Sequence, residues 1–158
     1  LQTAYPAHWG SETMDVAASG TSEEKLRTAL EAAGHRHTTQ RAAIYRFLRG
    51  VATHPTADEI FTQVREVLPD ISLATVYKAL EAFVEAGLAQ KLSLGGGPAR
   101  YDGRVEDHDH VRCLKCGIVR DVVGTHDNDL IRCLRSEDGF EIIDYRLELI
   151  GYCPNCQN

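Results

Sequence analysis

From Ser22 to Gly87 the apolar positions recur at helical spacing; beyond Gly87 they shorten into strand-like runs. Ser22-Glu23-Glu24-Lys25 opens a first predicted helix, with Ser22 able to cap it and the two acids favouring its N-terminal dipole. Leu26, Ala29, Leu30 and Ala33 form its apolar face, and Gly34 stops it. Thr38-Thr39-Gln40-Arg41 starts a second helix, in which Ile44, Phe47 and Leu48 share one side. Thr56 with Glu59 has the spacing of a capping box, and Ile60, Phe61, Val64 and Leu68 carry the third helix towards Pro69. Ser72 caps a fourth, from Leu73 to Ala86, ended by Gly87. Leu73, Val76, Leu80, Phe83 and Val84 face inward there, leaving Ala74, Thr75, Tyr77, Lys78 and Glu81 outside.

Leu88–Leu94 and Ala99–Asp102 flank the glycine turn Gly95–Gly97 and form a predicted β-hairpin. Helices followed by a hairpin outline a winged helix-turn-helix, with the fourth helix as recognition helix. An outward Tyr77 and Lys78 suit thymine-methyl and phosphate contact. With Ala74, Thr75 and Arg41 they are the candidate DNA contacts; the bland alternative is an ordinary amphipathic helix. After Asp102 the pattern changes. Val111–Cys113, Ile118–Val123, Phe140–Ile143 and Arg146–Ile150 are strand-like, and Asp127–Leu134 is a short helix. The expected fold class is α+β. A winged-helix domain over residues 21–104 is followed by an α+β dimerisation and metal-binding domain over residues 105–158. Residues 1–20 show no periodicity and are expected to be a disordered tail.

Charge refines this division. The chain has 158 residues and a net charge of −6, which by itself argues against nucleic acid. The sum hides a split: residues 21–104 carry 11 Lys/Arg against 10 Asp/Glu, and residues 105–158 carry 6 against 11. The first half can still present a basic face, while the acidic second half suits cation binding and association. No apolar run reaches the length of a membrane helix, and no secretory signal is apparent, so a cytoplasmic protein is expected. In a reducing compartment, CxxC pairs read as metal sites rather than disulfides.

The chemistry concentrates in Asp107-His108-Asp109-His110-Val111-Arg112-Cys113-Leu114-Lys115-Cys116-Gly117. A second pair, Cys153-Pro154-Asn155-Cys156, lies near the C-terminus. Four thiolates, Cys113, Cys116, Cys153 and Cys156, would close a tetrahedral structural zinc site with no open position. Cys133 is the odd cysteine and is expected in the core. His108 and His110 are two apart, so on a strand they share a face and could bind one ion. They and the nearby carboxylates are harder donors than thiolates and suit iron, manganese or a second zinc. Asp102 and Asp121 flank them in sequence.

The motifs HPTADEIF, S-x-ATVYKAL, HDHVRCLKCG and CPNC, in this order over residues 22–156, resemble the ferric uptake regulator (Fur) family of metal-dependent repressors. The resemblance implies a winged-helix DNA-binding domain, a C-terminal dimerisation domain, a regulatory metal between them, and Tyr77 as a base contact. The sequence looks most like the peroxide-sensing (PerR) branch, which implies a regulatory Fe²⁺ or Mn²⁺ held by His54, Asp102, His108, His110 and Asp121. Asp121 discriminates, since iron-sensing members usually carry Glu there. Thr39 departs from the Pro usual in the family's TPQR motif, without bearing on sensing. The resemblance further implies Fe-catalysed oxidation of a ligand histidine, His54 or His108, and a homodimer on a palindromic double-stranded operator. The alternative within the family is an iron or other divalent-metal uptake repressor released by metal loss. A small metalloenzyme and a zinc-stabilised interaction module without DNA are the rivals outside it. The first lacks an evident base beside the cluster and leaves the Tyr77 helix unexplained; no enzyme activity is expected.

Overall fold

The computed structural model describes residues 16–106, 108–122, 136–143 and 147–157. Four helices come first: α1 (Val16–Ala32), α2 (Thr39–Gly50), α3 (Ala57–Val64) and α4 (Leu73–Glu85). A two-stranded antiparallel wing follows, β1 (Gln90–Leu92) with β2 (Arg100–Asp102). The third layer is a small sheet of β3 (Asp109–Cys113), β4 (Val119–Val122) and β5 (Leu149–Gly151), in the order β4-β3-β5. β4 is antiparallel to β3 and β5 is parallel to it. This is the expected α+β arrangement of a winged helix joined to a small mixed unit. Among the described residues, no helix is long and apolar enough to cross a membrane.

The periodic positions build one core. Leu26 and Leu30 of α1, Ile44, Phe47 and Leu48 of α2, Ile60 and Val64 of α3, and Val76, Leu80 and Phe83 of α4 are all buried together. The tight turns that bring them there have local causes. Gly34 and Gly87 take φ of +79° and +65°. The following amides reach back to Leu30 and Phe83 carbonyls at 2.8 Å each, closing a Schellman motif on α1 and on α4. The capping box at α3 is present in full: the Glu59 amide donates to Thr56 Oγ1 and the Thr56 amide to Glu59 Oε2.

Several boundaries differ from expectation. α1 already includes Val16, the first of the described residues and inside the segment expected to be a tail, so Ser22 lies within the helix and does not cap it. α3 stops at Val64, and the chain turns through residues 65–67 before Pro69. Phe140–Ile143 is not a strand; no partner pairs with it among the described residues, and Phe140 and Ile143 are exposed. The β5 strand begins at Leu149, later than the expected Arg146. The expected helix Asp127–Leu134, with Cys133, lies outside the described residues.

Candidate metal centres

The first centre is built where α3, the wing and the sheet meet. A single bridge pairs Thr56 with Arg100, and the Tyr101 amide donates to the Pro55 carbonyl. The segment leading into α3 is thereby stitched to β2, which sets His54 beside Asp102. Arg100 adds a second stitch: one Nη1 donates to the His54 carbonyl at 2.9 Å and reaches Glu59 Oε2 at 3.2 Å. On the other side, β3 and β4 put His110 directly opposite Asp121. His108 stands just before β3, two residues from His110, as strand alternation requires.

His54, Asp102, His108, His110 and Asp121 each present one donor atom, and all five atoms lie within 4.8 Å of one another. His54 Nε2 is 2.8 Å from Asp121 Oδ1 and 3.3 Å from Asp102 Oδ2. His108 Nε2 is 2.8 Å from Asp102 Oδ2 and 3.3 Å from Asp121 Oδ1. His110 Nε2 is 3.3 Å from Asp102 Oδ2 and 3.9 Å from Asp121 Oδ1. Donors about 2.1 Å from a shared ion stand roughly 3.0–3.6 Å apart, so the spacing fits a common centre. His108 Nε2 and Asp121 Oδ1 are also buried without a hydrogen-bond partner, although they are near each other. Both atoms face the other donor atoms of the cluster, and a cation among them would satisfy them.

The tautomer of one ring follows from its outer contact. His108 Nδ1 lies 2.6 Å from the Glu106 carbonyl, which can only accept, so Nδ1 carries the hydrogen and Nε2 is left as the inward donor atom. Burial alone would raise the Asp102 carboxyl. Hydrogen bonds from His110, His54 and the Arg104 amide outweigh it and hold the group well below the usual carboxylate range. Asp102 is therefore a carboxylate at neutral pH. His54 is the one non-glycine described residue at positive φ, +48°, and is only 2% exposed.

The second centre gathers Cys113, Cys116, Cys153 and Cys156, again within 4.8 Å. Cys113 ends β3 and Cys116 follows in a turn closed at Gly117, whose amide donates to the Cys113 carbonyl at 2.9 Å. Parallel pairing of β5 with β3 delivers Cys153 to the same place, and Cys156 comes back on one 3-10 turn. Cys116 Sγ and Cys153 Sγ are 3.7 Å apart. A tetrahedron with metal–sulfur bonds of about 2.3 Å has sulfur–sulfur edges of about 3.8 Å. Backbone N–H groups, that of Cys153 foremost, lower the Cys113 thiol to about 6, while desolvation and the neighbouring sulfurs push Cys156 up to about 12. All four can be thiolates together only with a cation among them, so this donor set fits zinc.

The candidate DNA contacts are less uniform. Ala74, Tyr77 and Lys78 are exposed on α4, but the Tyr77 hydroxyl sits 3.5 Å from Asp58 Oδ2. Thr75 is half-buried, with Oγ1 2.8 Å from Ser72 Oγ at the helix cap. Arg41 lies on α2 and not on α4, and its Nη1 donates to the Arg36 carbonyl. One residue at the first centre escaped the sequence reading. Arg104 donates from its amide to Asp102 Oδ1 at 2.8 Å and from Nη1 to Asp121 Oδ2 at 2.6 Å. Its place two residues after Asp102 was a visible hint, but only the β3–β4 pairing brings Asp121 within reach.

The chain is similar to several known proteins. The model of the ferric uptake regulator family matches residues 32–150. The peroxide-responsive repressor PerR of Staphylococcus aureus is 36% identical over 135 residues, 85% of this chain and 91% of that protein. A solved zinc-bound manganese uptake regulator is similar at a TM-score of 0.65 and 33% identity, over 83% of this chain and 98% of that one. The ferric uptake regulator of Francisella tularensis with iron is similar at a TM-score of 0.67 and 27% identity, over 79% of this chain and 96% of that one.

Proposed function

Since the chain belongs to the ferric uptake regulator family and is thereby a metal-dependent repressor, we propose that it senses peroxide through its His/Asp centre and releases DNA in response. The observation that carries this is the cluster itself: three imidazoles and two short carboxylates converge from both sides of the link between the wing and the sheet. In the proposed division, residues 21–104 bind DNA and residues 105–158 dimerise and hold metal. His54 is contributed by the DNA-binding half and Asp102 by the link. His108, His110 and Asp121 come from the other half. An ion held by all five fixes the angle between wing and sheet, coupling its occupancy to the spacing of two recognition helices on a twofold operator.

The roles divide as follows. Cys113, Cys116, Cys153 and Cys156 hold a structural Zn²⁺ and keep the sheet together. The His/Asp set holds Fe²⁺ or Mn²⁺, and Fe²⁺ supplies the redox chemistry with peroxide that modifies His54 or His108. His54 is the ligand whose loss uncouples the halves, because it alone reaches over from the α3 side. Its buried ring and left-handed backbone hold Nε2 inward. Tyr77 and Lys78, helped by Ala74, Thr75 and Arg41, face the operator. The exposed apolar residues Phe140, Ile143, Leu147, Ile150 and Tyr152 support a self-associating face on the C-terminal half.

Asp121 in place of a longer carboxylate, and the 36% identity to the Staphylococcus aureus peroxide-responsive repressor, favour the peroxide reading. The likeness to a manganese uptake regulator at 33% identity favours the second, an uptake repressor released when the ion leaves. The deciding experiment loads the full chain with Fe²⁺, adds peroxide, and follows operator release together with peptide masses. A gain of one oxygen atom on His54 or His108, with DNA release that fresh metal does not reverse, supports peroxide sensing. Release only on metal removal, fully reversed by metal, supports the uptake repressor.

A further inference from the structure

We propose that Arg104 is a positioning residue that restricts Asp121 to a single free oxygen and so holds a bound divalent cation to five protein donor atoms. The proposal rests on the reading that the His/Asp cluster holds the regulatory ion. Each carboxylate in the cluster has its two oxygens in different company. Asp102 Oδ2 faces His108 and His110, while Oδ1 takes the Arg104 amide. Asp121 Oδ1 faces His54 and His108, while Oδ2 takes the Arg104 guanidinium at 2.6 Å. One residue therefore engages the outer oxygen of both aspartates, by backbone in one case and by side chain in the other.

The two contacts differ in what a substitution removes. The amide contact to Asp102 survives any replacement except proline. The guanidinium contact does not, and Asp121 is then free to turn Oδ2 inward and bind through both oxygens, as carboxylates readily do. Turning it inward in the native chain would break a short charge-assisted hydrogen bond. Arg104 itself is 57% exposed and packs into no core, so its removal leaves the fold in place. A centre held at five protein donors keeps a position open, whereas a sixth protein oxygen would fill it.

Co²⁺ reports this directly. A near-octahedral site has an approximate inversion centre, so its d–d absorption is weak, and lower coordination without that centre absorbs more strongly. The probe is Co²⁺ added to the full chain with zinc already in the cysteine centre, so that no cobalt–thiolate band appears. First, His110→Ala should abolish the visible band; an unchanged band would overturn both the assignment of the cluster and the role of Arg104. With that passed, Arg104→Ala should weaken the d–d band several-fold without loss of bound Co²⁺. The double variant Arg104→Ala/Asp121→Asn should restore it, because an amide has one good donor oxygen. A band in Arg104→Ala that overlays the unsubstituted protein, or one that the second change fails to restore, would overturn the proposal.

Discussion

His54 holds a φ of +48° with its ring buried and is followed by proline. A branched or bulky residue in that region costs of order 1–3 kcal/mol and persists only where its surroundings over-determine it. Here the surroundings are visible: the Arg100 guanidinium grips the His54 carbonyl, and the Thr56–Arg100 bridge fixes the next two residues. The strain aims Nε2 at Asp102 and Asp121. His54→Ala should therefore weaken metal-dependent operator binding by roughly 10–100-fold, the range seen when a metal's ligand support is lost, while zinc content stays at the unsubstituted level. Operator titration in Mn²⁺, beside metal analysis, measures both. At α4, Tyr77 tests the recognition reading. Tyr77→Ala should lower operator affinity by about 1–3 kcal/mol for a specific base contact, with non-specific DNA binding and thermal stability little changed.

At the scale of elements, the centre depends on two junctions. One is the N-terminus of α3. Thr56→Ala removes the hydroxyl that accepts the Glu59 amide and should cost about 1 kcal/mol of stability, read as a shift in the urea midpoint. The other junction is the link after β2. Gly103 is buried, and a Cβ there would come within 3.1 Å of the Leu48 carbonyl oxygen and 3.3 Å of Arg49 Cα. Those neighbours are backbone of α2, which would have to shift by a few tenths of an ångström. Gly103→Ala should destabilise the protein by about 1–3 kcal/mol, as overpacking does, at the point where the Gly103 carbonyl accepts from Arg49 Nη1 at 2.7 Å. Calorimetry would register it. The wing has a softer contact of the same kind: Gly95 lies against the Arg112 guanidinium, which also holds Glu148 at 2.7 Å.

For the whole molecule, the proposed roles give the two centres different jobs because they sit differently in the fold. The main core lies entirely between Leu26 and Tyr101, so the helices and wing are stable by burial. The sheet that follows has little of this; Cys113 and Val119 are its buried apolar residues among those described. It leans on the cysteine centre, as small metal-held units do. Cys156→Ser, or zinc removal by a strong chelator, should unfold the sheet and yield monomers. The N-terminal helices should keep most of their far-UV signal; size-exclusion with light scattering and circular dichroism would follow the two halves separately. Uniform loss of both would contradict this division of labour.

Much of this was legible in the chain. The core faces of all four helices followed from spacing, because a helix that must bury one side repeats its apolar residues every three or four positions. The cysteine centre followed from two CxxC pairs, since a thiolate pair at that spacing has few other uses in a reducing environment. Helix ends were less legible, as at Val64, where the helical pattern runs on towards Pro69 but the chain turns through residues 65–67. The His/Asp centre was nameable from motifs, but its shape was a matter of tertiary contact. His54 and Asp121 are far apart in sequence, and only the Thr56–Arg100 bridge and the β3–β4 register bring their donor atoms to 2.8 Å. Arg104 belongs to the same class. Its side-chain partner Asp121 lies on β4, and local pattern carries no information about what folds over it. Periodicity encodes which face is buried; distances between faces exist only once the chain has closed on itself.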